Sequence, residues 1–158
     1  MNSSYPNVIY ILGDDHRAEQ LGSRGHPLLQ TPNLDKLSRQ DVQFTNAFCT
    51  SPACTPSRTC HYTGQWERKH GINFNSGSSL SPEAWARSFP MRLKEAGYYL
   101  GWVGKNHVPA VGGKCGYDSG YFETVFDYWY GNHGHSGFYP KEQCSGGEST
   151  GMLALIRR

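Results

Sequence analysis

Cys54, Pro56 and Arg58 fall within five positions of one another in "SPACTPSRTCHYTGQ", residues 51–65. A thiol at a helix N-terminus meets free backbone N–H groups and the positive end of the helix dipole, and both favour an anion. Arg58 lies one turn further on, where its planar fork would hold an oxyanion. Two other readings compete. One is a small buried cysteine near a surface arginine. The other is the anion-binding loop of a cysteine-nucleophile phosphatase, which needs a longer backbone cradle before its arginine; Pro56 has no N–H to give to one.

Two further constellations bear chemistry. Asp14 and Asp15 follow "NVIYIL" and Gly13. Adjacent carboxylates repel unless a cation lies beside them, and a hard divalent ion with oxygen ligands would serve; the alternative is a solvated turn with an Asp cap. Lys105 and His107 follow another apolar run in "VGKNHVP". Two residues apart, they point the same way if the backbone is extended. Together they suit an anionic substrate, the lysine binding charge and the histidine acting as general acid; the alternative is a solvated lysine at a strand end. Histidines 16, 26, 61, 70, 133 and 135 remain. The pair in "GNHGHSG" would hold a metal only with further ligands nearby, and reads as a polar loop lining a cleft.

These groups need elements to position them. "NVIYIL" (7–12) reads as a buried, parallel strand, whose carboxyl end is where open α/β sheets bind ligands. "TPNLDKLSRQ" reads as a helix capped by Thr31 with Pro32 at its first position. "VQFTNAF" (42–48) alternates like a strand. "TPSRTCHYTG" (55–64) reads as a helix capped by Thr55 with Pro56 first. Residues 71–87 begin as a polar loop, "SFPMRLKEAGYY" is a helix stopped by Gly97, and "YYLGWVG" (98–104) is a strand ending at Lys105. From there to 143 the chain is rich in Gly, Tyr and His without periodicity. The tail, 144–158, has a Gly/Ser patch, a short apolar run that reads as the start of a helix, and two arginines. The order of strands and helices predicts an α/β sheet with helices on its faces.

Composition narrows the function. A net charge of +2 over 158 residues leaves no electrostatic footprint for nucleic acid. No apolar run approaches the roughly 20 residues of a membrane span. "MNSSYPNVIYILGDD" has no basic n-region and no small-residue cleavage site, so a cytoplasmic location is expected for the chain as written; a longer N-terminus would allow a periplasmic or secreted one. Five cysteines, at 49, 54, 60, 115 and 144, are odd in number and form no CxxC, which argues against a disulfide framework or a zinc ribbon.

In unbroken order over residues 6 to 110, four segments resemble the type I sulfatases of the alkaline-phosphatase-like superfamily: "PNVIYILGDD", "TPNLDKLSRQDVQFTNAFCTSPACTPSR", "TGQWERKHGI" and "KEAGYYLGWVGKNHVP". The resemblance implies an α/β/α sandwich with a mostly parallel sheet. It implies that Cys54 is oxidised to formylglycine by a formylglycine-generating enzyme, with Thr55, Pro56, Ser57 and Arg58 as its recognition context. One hydroxyl of the aldehyde hydrate would attack sulfur and release the alcohol; the other would lose its proton and expel sulfate. Asp14, Asp15 and the modified Cys54 would bind Ca2+. Arg58 would steady the diol, Lys105 the sulfate charge, and His107 would hydrogen-bond the diol or a sulfate oxygen. The implied substrate is a sulfated small molecule or glycan.

Three residues depart from the family pattern: His61 and Tyr62, where two apolar residues are usual before Thr-Gly, and Leu100, where a hydroxyl residue is common. The family's catalytic domains are also far longer than this chain. Later calcium ligands have no match after residue 110, so 1–143 is expected to be the N-terminal part of a catalytic domain, incomplete, and 144–158 a truncation or frameshift tail. The aromatic segment 117–139 suits either a sugar ring or a core. Two alternatives remain: a phosphonate or phosphate ester hydrolase of the same superfamily, and a non-catalytic remnant.

Overall fold

The computed structural model describes residues 5–74, 78–109 and 120–132, and the backbone of 151–157. In chain order the elements are β1 (Val8–Leu12), a 3-10 turn (Gly22–Arg24), α1 (Pro32–Gln40), α2 (Cys54–Thr63), α3 (Glu67–His70), α4 (Pro82–Ala86), α5 (Phe89–Glu95), β2 (Tyr98–Lys105), α6 (Tyr121–Val125), β3 (Tyr128–Asn132) and β4 (Gly151–Arg157). They divide into two units, one of Met1–Leu12 with Cys49–Arg158 and one of Gly13–Phe48.

The first unit has the expected α/β character. Its four strands run in the order β1-β4-β2-β3. β2 and β3 pair in parallel, while β4 is antiparallel to both β1 and β2. β1, β2 and β3 therefore point the same way, and their carboxyl ends share one edge. β4 corrects the reading of the tail as a helix start. "MLALI" has helix-forming residues, but between two strands it satisfies both sets of exposed backbone groups, and that tertiary pairing overrides propensity.

One face of this sheet is covered. Tyr62 from α2, Trp85 from α4 and Phe122 from α6 join Tyr98, Leu100, Trp102 and Phe126 in a core of which each member is at most 6% exposed. Ring packing dominates it: Trp85 meets Phe122 edge-on at 4.9 Å, and Trp102 stacks on Trp129 at 5.8 Å. Each large side chain so buried contributes about 1.5–3 kcal/mol. α5 begins at Phe89, which packs on Tyr10 and Tyr62, and ends where Gly97 turns left-handed at φ 86°.

Three short elements fall where the sequence offered no periodicity. α4 lies in the stretch read as a polar loop, started by Ser81, whose hydroxyl accepts the Ala84 N–H at 3.2 Å. α6 and β3 lie in the Gly/Tyr/His-rich stretch; α6 contributes Phe122 to the core, and Trp129 of β3 packs against it. Five residues are too few for a period to show.

In the second unit, α1 starts at Pro32 as expected. Thr31 occupies the cap position, but its hydroxyl donates to Asp35 Oδ1 (2.7 Å) and accepts from Gly22 N–H (2.9 Å) rather than capping. Residues 42–48, expected as a strand, form none. Val42, Phe44 and Phe48 are all more than three-quarters exposed, and among the described residues no neighbouring strand pairs with them. Alternation alone does not make a strand whose backbone groups have no ladder to join.

Candidate functional site

Cys54 is the first residue of α2, half-buried, and Ala53 is its extended N-cap (φ −136°, ψ 148°). This moves the cap from the expected Thr55, which is buried in the first turn. Pro56 is tolerated there because first-turn N–H groups have no intrahelical acceptor. Ser57 N–H makes the first helical bond, to Ala53 O at 3.0 Å. Upstream, Cys49 Sγ donates to Ser51 O (3.1 Å) and lies 3.4 Å from Ser57 Oγ.

Thr55, Pro56, Arg58, Thr59 and Tyr62 form the buried face of α2. The Thr59 hydroxyl returns to Thr55 O at 2.8 Å, so it carries no unpaired polar atom inward. Arg58 is only 2% exposed, and its Nη1 donates to the Lys105 carbonyl at 2.9 Å. The helix bearing Cys54 is thereby tied to the end of β2. Burial pushes the Tyr62 phenol strongly upward and the Tyr10 phenol upward, with the Arg58 guanidinium opposing in both cases.

The family departures resolve differently. Tyr62 serves as an apolar residue, its ring against Trp85, Trp102 and Phe89. Leu100 is a core residue. His61 is exposed as a residue, but desolvation of its ring, aided by Arg58, lowers its pKa.

Lys105, Asn106 and His107 are each at most 3% exposed. The expectation that Lys105 and His107 share a side through extended backbone does not hold, because His107 is left-handed at φ 52°. Asn106 N–H donates to Asn132 O (2.9 Å) at the end of β3, and Asn106 Oδ1 accepts the Val108 N–H (3.0 Å).

Asp14 and Asp15 belong to the second unit and are exposed. Asp14 follows Leu12 by two residues, so covalent geometry alone keeps its Cα within about 8 Å of the end of β1. Asp15 has φ 50°. Asp15 and His107 are the two non-glycine residues with positive φ among those described, and each lies two or three residues past a strand's carboxyl end. Such strain collects at functional sites. His133 and His135 lie outside the described residues, as do Cys115, Cys144 and the two ends of segment 117–139, residues 117–119 and 133–139.

The structure thus ties Arg58 of α2, the helix that also begins with Cys54, to Lys105 at the end of β2, and His107 follows two residues later in the same unit. Sequence reasoning missed Asn106, Asn132 and Tyr10. The one signal available was an asparagine between the lysine and the histidine, a residue suited to turns.

Residues 6–150 match the family model described as Sulfatase. The chain belongs to the sulfatase family. It is 40% identical over 119 residues to an N-acetylgalactosamine-6-O-sulfatase of Bacteroides thetaiotaomicron, covering 74% of this chain and 23% of that protein. An N-acetylglucosamine-6-O-sulfatase of the same organism is 31% identical over 103 residues, 65% of this chain and 18% of the relative. Human steryl-sulfatase is 31% identical over 172 residues, 98% of this chain and 28% of the relative. No solved structure matches the chain significantly. The chain thus spans roughly a fifth to a quarter of the length of these sulfatases, and the family match takes in Asp14, Asp15, Cys54, Arg58, Lys105 and His107. No helix among the described residues is long and apolar enough to cross a membrane.

Proposed function

We propose that this chain cleaves sulfate esters, of carbohydrates in the first instance, with a nucleophile made from Cys54. The observation that carries the reading is the 2.9 Å hydrogen bond from Arg58 Nη1 to the Lys105 carbonyl. It joins two segments, 47 residues apart, that each resemble a sulfatase signature. The carbohydrate class follows two of the relatives, whose names specify N-acetylhexosamine 6-O-sulfates.

Calcium and formylglycine are the implied groups, and the donor chemistry fits on one condition. Asp14 and Asp15 offer hard carboxylate oxygens, which suit calcium. A thiolate is a soft donor and does not. Conversion of Cys54 by a formylglycine-generating enzyme replaces sulfur by oxygen, and the donor set is then uniformly hard. Calcium would supply positive charge for the sulfate oxygens, and the aldehyde hydrate the attacking oxygen.

The chain's own residues then divide the work. Arg58, buried behind Cys54, stabilises negative charge on the oxygen at position 54. Lys105, shielded from water, binds the sulfate charge more strongly than an exposed lysine would. His107 donates a hydrogen bond to the diol or to a sulfate oxygen. Pro56 and Arg58 also mark the site for the modifying enzyme.

Co-expression with a formylglycine-generating enzyme, followed by mass spectrometry of the Cys54 peptide and turnover of aryl sulfate beside aryl phosphate, tests the proposal. The expected result is an aldehyde at position 54, calcium-dependent release of sulfate, and no turnover by Cys54→Ala. An unmodified thiol in a preparation that turns over would sink the mechanism. Faster release of phosphate would move the chain to the phosphate-ester reading. Full conversion with no turnover and no calcium-induced thermal shift would leave a non-catalytic remnant.

A further inference from the structure

We infer that Asn106 is a positioning residue for His107, holding that histidine in the left-handed conformation that sets its ring. The inference rests on the proposed sulfatase site for its purpose but not for its geometry. β2 ends at Lys105, and ordinary strand alternation would carry the chain straight on. Instead the backbone turns, and Asn106 supplies two bonds that make it do so. Its N–H adds one rung to the sheet by donating to Asn132 O at 2.9 Å. Its side-chain Oδ1 accepts the Val108 N–H at 3.0 Å and so bridges over His107. Between these two anchors His107 stands at φ 52°, a conformation that residues with a Cβ rarely adopt. Residues 106 to 108 are at most 4% exposed, so water is poorly placed to replace the bridge.

Lys105 is held differently. It pairs with Asn132 in the β2–β3 register, and its carbonyl accepts from Arg58 Nη1. Loss of the Asn106 side-chain oxygen would therefore free Val108 N–H and let His107 relax toward negative φ, while Lys105 stayed in place. In the proposed reaction this separates two effects. Charge binding by Arg58 and Lys105 is retained, and the hydrogen bond from His107 is misplaced.

The test uses the 158-residue chain with its histidine ring signals followed by NMR, that of His107 assigned with His107→Gln. Asn106→Ala is expected to shift the His107 signal and its titration midpoint. Asn106→Asp keeps an acceptor oxygen at the same reach and is expected to restore the signal. In converted, active chain, Asn106→Ala is expected to lower kcat by about 10–100-fold with KM within about twofold. A His107 signal unchanged in Asn106→Ala, or an Asn106→Asp that behaves like Asn106→Ala, overturns the inference. Should Asn106→Ala not fold, the unsubstituted chain decides. A trans-hydrogen-bond coupling between the Val108 amide and the Asn106 side-chain carbon supports the bridge, and its absence overturns it. A shifted His107 in a chain that never cleaves aryl sulfate upholds the positioning role and removes the sulfatase reading. An unshifted His107 in an active one does the reverse.

Discussion

His70 shows how much of the residue-scale chemistry is set by local partners. Its Nδ1 accepts the Ile72 N–H at 3.1 Å, so the neutral ring carries its proton on Nε2, which lies 3.3 Å from Cys60 Sγ. A ring so assigned offers no lone pair for a metal beside that thiol. Desolvation lowers the His70 pKa, with Glu67 opposing, and His61 is lowered in the same direction. The sign follows from linkage. In the unfolded chain a histidine takes up a proton near pH 6.5, while these two resist it when folded. Between that value and their lower folded pKa values the unfolded state binds more protons, so stability falls as pH drops through the window and levels off below it. Urea midpoints measured from pH 7.5 to 5 are expected to decrease, and His70→Gln to flatten part of the slope. An identical slope in the variant would remove His70 as a source. The sequence marked Arg58 and Lys105 as residues for an anion. It held no sign that the guanidinium of one bonds the carbonyl of the other, because a backbone acceptor is the same at every position.

At the scale of elements, the legible features were those with strong stereochemical causes. Gly97 stops α5, Pro32 starts α1, and Gly64, left-handed at φ 64°, closes α2 with its N–H on Cys60 O at 2.9 Å. A Cβ at Gly64 would meet nothing within 4 Å, so Gly64→Ala isolates the backbone cost, about 1–2 kcal/mol. At Gly131, in β3, a Cβ would come within 3 Å of the Trp129 ring, which is itself stacked on Trp102 and Phe122. Gly131→Ala is therefore expected to cost more than Gly64→Ala in urea unfolding, and the opposite order would refute this account of both positions. Features that depend on distant partners were not legible. Residues 42–48 carry a true alternation and form no strand, whereas "MLALI" carries none and forms the strand between β1 and β2. His107 belongs to the same class: spacing suggested shared direction with Lys105, and a turn closed by Asn106 and Asn132 decided otherwise.

For the first unit as a whole, the telling feature is the sheet face opposite the aromatic core. The registers align Ile9, Ala154, Gly101 and Tyr128 in one row across the strands, and Ile11, Met152, Val103 and Tyr130 in the next. Of these, Ile9 and Ile11 are 68% and 67% exposed, and Tyr128 and Tyr130 more than half exposed. A sheet face left to water ordinarily carries polar residues, whereas exposed apolar side chains such as Ile9, Ile11, Tyr128 and Tyr130 favour association. The 158-residue chain is accordingly expected to self-associate with rising concentration through this face. Ile11→Lys and Tyr130→Lys place charge on it without entering the core, because both positions alternate away from Tyr10, Trp102 and Trp129. Sedimentation velocity over a concentration series is expected to show a weight-average mass that climbs for the parent chain and stays flat for the double variant. Their thermal unfolding should coincide within the effect of two surface changes. If parent and variant sediment alike at every concentration, the exposed rows are not what the chain associates through. If the variant instead loses its cooperative transition, Ile11 and Tyr130 contribute to the fold itself, and the face is not free.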